Sequence, residues 1–134
     1  MADRTEIEAT LDGITAARVR NDNDAIQHYF APGAHYQLAA NHSLLADMPE
    51  SGAAEKAVAE LIATFQFHHI EPLDRVIDGN KAATRWRISV SVGSGDRIQT
   101  DLAGFWTFNE EGLATQLHEF ADTAQVQAMF RATA

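Results

Sequence analysis

The chain has no cysteine, which excludes disulfides, thiolate metal sites and cysteine nucleophiles and leaves stability to packing alone. It has no apolar run of membrane-spanning length, and its opening Met1-Ala-Asp-Arg-Thr-Glu6 lacks the basic and apolar regions of a signal peptide. A cytoplasmic protein without membrane contact is therefore expected. Basic residues are scarce and scattered. Ten Lys and Arg against nineteen Asp and Glu give a net charge of −9, and nucleic-acid binding draws most of its affinity from clustered cations, so a nucleic-acid partner is not expected. Metal-ligand patterns are missing too. Asn21-Asp-Asn-Asp24 lacks the Gly and distal Glu of a calcium loop, and the adjacent His68 and His69 in a strand point to opposite faces. There is no internal repeat and no low-complexity linker.

What remains is a chain of 134 residues with 46% hydrophobic content, enough for one domain (1–134) with a real core. Ile7, Leu11, Ile14 and Ala17, flanked by Glu6, Glu8, Asp12 and Arg18, predict an amphipathic first helix. Asp22 or Asp24 can cap a second helix carrying Ile26, Tyr29 and Phe30 and ended by Pro32-Gly33. A short strand is predicted over 34–39. The loop from Asn41 to Ser51 is apolar for a loop and reads as a candidate lid, and Ala54, Val58, Leu61, Ile62 and Phe65 mark a third helix.

From Phe67 the hydrophobic period changes to two. Strands are predicted over Phe67–Ile77, Lys81–Val92, Arg97–Phe108 and Leu113–Ala121, with a short helix near Val126–Phe130. Helices followed by a meander give an α+β fold, with helices covering one face of a mostly antiparallel sheet. Strand alternation places Trp86, Ile88 and Val90 on one face, then Leu102, Gly104, Trp106 and Phe108, then Leu117, Glu119 and Ala121. Glu119 thus faces inward, where no Lys or Arg is expected to join it and burial disfavours its ionised form. Its plainer role is a strand residue paired with Arg85 or Arg87. Trp86 and Trp106 are pocket walls or simply core aromatics. A buried Tyr36 needs a hydrogen-bond partner, and Glu119 would satisfy it.

Two motifs carry a family resemblance. Asn21-Asp22-Asn23-Asp24-Ala25-Ile26 followed by Tyr29-Phe30-Ala31-Pro32-Gly33-Ala34 resembles the opening of SnoaL-like proteins, which belong to the nuclear transport factor 2-like (ketosteroid isomerase-like) superfamily. Trp106-Thr-Phe-Asn-Glu-Glu-Gly112 and Leu117-His118-Glu119-Phe120-Ala121-Asp122 resemble that family's closing hairpin. The resemblance implies a cone: a curved, mostly antiparallel sheet wrapped around three N-terminal helices, with a short C-terminal helix, a deep cavity and a homodimer formed through the sheet.

It also allows the family's chemistries to be compared position by position. The three catalytic positions of ketosteroid isomerases hold Ile14, Leu38 and Gly104, which argues against that activity. The middle-strand Arg-x-Asp of limonene epoxide hydrolases falls on Trp86 and Ile88 and its Asn on Leu38, leaving Tyr36 and Glu119. The last-strand acid of SnoaL-type cyclases falls on Glu119. The expected site therefore has Glu119 and Tyr36 as catalytic groups, with Ile14, Leu38, Phe65, Trp86, Ile88, Trp106 and Leu117 as ligand-binding walls and no metal or cofactor. Two functional classes follow. One is proton-transfer chemistry (isomerase, cyclase or dehydratase type) on a small hydrophobic oxygenated molecule. The other is a non-catalytic ligand-binding or dimerisation module, favoured by the lack of an evident oxyanion donor.

Overall fold

Asp3 starts the first helix by accepting a hydrogen bond from the Glu6 amide over 2.8 Å, so α1 runs Arg4–Val19. Its buried stripe is Ile7, Leu11, Ile14, Ala17 and, one turn beyond Ile14, Arg18. Asn21 at φ 54° turns the chain, and Asp22 caps α2, Asn23–Gln27. The computed structural model describes residues 2–39, 52–53 and 64–133.

The second helix is shorter than predicted. Sheet pairing takes its expected end: Phe30 pairs with Ala114, whose amide donates to the Tyr29 carbonyl over 2.9 Å. β1 therefore spans Phe30–Ala39 and not only 34–39. Its register against the last strand shifts between Phe30 and His35, around Pro32, which has no amide to donate, and Gly33 at φ 76°. The predicted loop 41–51 and helical residues 54–63 lie outside the described residues, and Phe65 belongs to a strand.

The other strands are β2 Gly52–Ala53, β3 Phe65–Asp78, β4 Lys81–Val92, β5 Ile98–Phe108 and β6 Ala114–Ala121, followed by α3, Thr123–Thr133. Their order is β2-β1-β6-β5-β4-β3. All neighbours are antiparallel except β1 and β6, which run parallel. The sheet is curved and unclosed, and the fold is α+β as expected. None of the described helices is long and apolar enough to cross a membrane.

The inward face of the sheet packs on α1. Ile7, Leu11 and Ile14 share one core with Trp86, Trp106, Phe108 and Leu117. Gly104 has no side chain at the centre of this layer, and beside it Trp106 Nε1 donates to Thr84 Oγ1 over 3.0 Å. Ion pairs tie β3, β4 and β5 together: Arg85 with Asp74 at 2.8 Å and Arg87 with Asp101 at 3.0 Å.

Candidate functional site

Strand parity decides which β6 side chains enter the cone. Glu119 sits opposite Gly104 of β5 and Leu38 of β1, shares the inward face with Leu117, and is 2% exposed. At the other end of β6's hairpin, Thr10 Oγ1 donates to the Gly112 carbonyl over 2.6 Å, and Gly112, at φ 81°, lies against Glu6. This clasp fixes α1 along the mouth of the hairpin, and the last turn of the helix delivers Arg18 to Glu119.

The expectation of a carboxylate without a cation is therefore corrected. Arg18 Nη1 donates to Glu119 Oε2 and Nη2 to Oε1, both over 3.0 Å, while Tyr36 donates its hydroxyl to Oε1 over 2.6 Å. Neither Arg85 nor Arg87 takes part. The Arg18 guanidinium also lies 5.0 Å from the Phe67 ring centre and 5.8 Å from that of Trp86, a cation–π setting that offsets part of its lost hydration. Arg18 belongs to the stripe Ile7, Leu11, Ile14, Arg18, and its spacing of four from Ile14 was the available sequence signal.

Burial acts against the Arg18 charge, but the Glu119 carboxylate outweighs it and holds the guanidinium above its ordinary value. Burial pushes the Tyr36 phenol well above its ordinary 10.0, and the Glu119 charge adds to the effect. Tyr36 is thus a proton-bearing donor at neutral pH, unsuited to act as a base.

Beside this triad lies a recess of about 40 Å³. Tyr36, Leu38, Phe65, Ile88 and Glu119 line it, so these expected residues are brought together. Ile14, Trp86, Trp106 and Leu117 do not line it; they are buried in the core layer behind it. Trp106 is tied to Thr84, whereas the buried Trp86 Nε1 has no partner among the described residues. Val126 and Met129 of α3 complete the lining, a contribution that β-strand parity cannot indicate. This volume has room for a few waters, well below the ~300 Å³ or more of a typical ligand pocket. A bound molecule must be small or must displace the adaptable Met129 side chain. Among the described residues, no three His, Asp or Glu side chains gather as metal ligands.

Residues 7–117 match the SnoaL-like domain family, and the chain belongs to it. No curated protein matches the chain. Solved structures share its fold. An NTF2-like protein of unknown function from Burkholderia pseudomallei K96243 has 17% identity and a TM-score of 0.76, covering 96% of this chain and 98% of its own. The BvnE pinacolase of Penicillium brevicompactum has 16% identity and a TM-score of 0.76, with 97% and 95% covered. An LEH-like epoxide hydrolase of M. tuberculosis has 15% identity and a TM-score of 0.72, with 96% and 92% covered. At these identities the likeness concerns the fold alone.

Proposed function

We propose that this SnoaL-like domain takes a small, largely apolar, oxygenated molecule into the recess and exchanges a proton with it through Glu119, without a cofactor. The observation that carries this reading is the asymmetry of the carboxylate. Oε1 accepts from both Arg18 and Tyr36, whereas Oε2 accepts from Arg18 alone. A carboxylate offers roughly four lone-pair directions, so Oε2 retains one for a substrate.

In the proposed step, a C–H bond next to a substrate carbonyl breaks and the proton moves to Oε2. The electron pair passes to the carbonyl oxygen as an enolate; where the substrate carries a β,γ-double bond this is a dienolate, and return of the proton from Oε2 to its γ-carbon moves the double bond into conjugation and completes an isomerisation. The same enolate attacking a second carbonyl would give an aldol cyclisation. Arg18, expected on the helix flank, and Tyr36, expected to pair with Glu119, both donate to this carboxylate and hold its orientation towards the recess. A second reading, non-catalytic binding, is favoured by the same triad, because the lone pairs of Glu119 are already largely taken up by Arg18 and Tyr36.

Deuterium exchange separates the two. Incubated in D2O, the protein should accelerate exchange of the α-protons of butanone or γ-butyrolactone, and Glu119→Gln should lose about a hundredfold or more of that rate. Binding without exchange above buffer would favour the non-catalytic reading. We also propose that the domain forms a homodimer through the outer sheet face. There the exposed Phe105 and Phe120 meet edge to face at 5.7 Å, next to the ion-paired arginines, a mixture of aromatic and charge that suits an interface.

A further inference from the structure

The triad is electrically closed. One guanidinium and one carboxylate, 4% and 2% exposed, face each other in bidentate contact, and the hydroxyl that joins them is neutral. A second carboxylate among the described residues at the recess, Asp101, is balanced by Arg87 at 3.0 Å and Arg85 at 3.5 Å. An anion entering this apolar space would lose its hydration and, among the described residues lining the recess, meet no uncompensated cation, in a chain that already carries a charge of −9. A neutral carbonyl or hydroxyl compound faces neither obstacle.

We infer that the Arg18–Glu119 pair restricts the recess to uncharged ligands, and that Glu119 masks Arg18, which would otherwise be an anion site. This deepens the reading of the recess as a ligand site and rests on it. Arg18 is here a specificity-determining residue. Its fork of donors is suited to a carboxylate, and the protein's own carboxylate occupies it. Phe67 and Trp86 hold the guanidinium in place from the side, so loss of the Glu119 charge exposes a pre-oriented cation.

Butanone and propionate match in size and differ in charge, and amide-resolved NMR titrations at low salt test the inference. The parent protein should bind butanone about tenfold or more tightly than propionate. In Glu119→Gln the preference should reverse, and in the double variant R18Q/E119Q the propionate affinity should vanish again. A parent that prefers propionate, or a folded Glu119→Gln that still prefers butanone, overturns the inference. If Glu119→Gln is unfolded at low salt, circular dichroism gives the same reading: propionate should restore the fold and butanone should not, and rescue by neither overturns the inference. The proton-transfer reading fails separately. Reversal of preference without deuterium exchange leaves the charge selection standing, and exchange without reversal removes it.

Discussion

Arg18→Met would leave Glu119 buried without its cation, and breaking a buried pair from one side costs about 3–5 kcal/mol. Urea unfolding at pH 7 should show a loss of that order. The double variant R18M/E119Q should recover much of it, because the cost lies in the stranded charge and not in the missing contact. Tyr36→Phe should lose about 1.5–3 kcal/mol for a hydrogen bond to a charged group, and it should also alter the alkaline limb of the stability curve. The folded phenol holds its proton more tightly than the unfolded one. Its contribution is fully present below the unfolded value near 10.0 and drains away as pH rises through the higher folded value. The difference between the parent and Tyr36→Phe should therefore shrink above about pH 10 in melts run from pH 8 to 11. Glu119 was legible as an inward acid because parity in a strand is strict. Arg18 was not, because on a helix the boundary between the apolar stripe and its flank is only one residue wide, and a charged residue there is read as solvated.

Among the elements, β5 depends on a residue with no side chain. A Cβ on Gly104 would stand 3.0 Å from both Thr84 Oγ1 and Trp106 Nε1. Those two atoms are bonded to each other and buried, so neither yields freely. Gly104→Ala should cost about 1–3 kcal/mol and quench or shift Trp106 emission, read by denaturation followed through fluorescence. The bounds of β4 follow directly from its alternation, whereas α2 was overextended. Helical spacing sees Tyr29 and Phe30 as a continuation of Ile26, but the partner that captures Phe30 is Ala114, far along the chain and invisible to any local window. The same limit explains why Val126 and Met129 were not foreseen on the recess wall: how α3 folds back against the sheet is a tertiary fact.

For the whole molecule, the proposed dimer gives a direct measurement. Light scattering at tens of micromolar should return twice the chain mass, and Phe120→Glu should return the monomer with an unchanged circular dichroism spectrum. A monomeric parent would leave the Phe105–Phe120 pair as a surface feature only. The period switch near Phe67 made the α+β class legible, since alternation needs no knowledge of partners. The parallel pairing of β1 with β6 has a kinetic consequence. The bonds that build the triad join residues 101 and 83 positions apart, so neither end of the chain can assemble it alone. During synthesis Arg18 and Tyr36 must wait, unpartnered, until β6 leaves the ribosome. Loop closure across most of the chain then precedes any reward from the ion pair, so the site should be among the last features to form on folding. Stopped-flow refolding should show the Trp106 signal developing before the recess becomes able to bind a ligand.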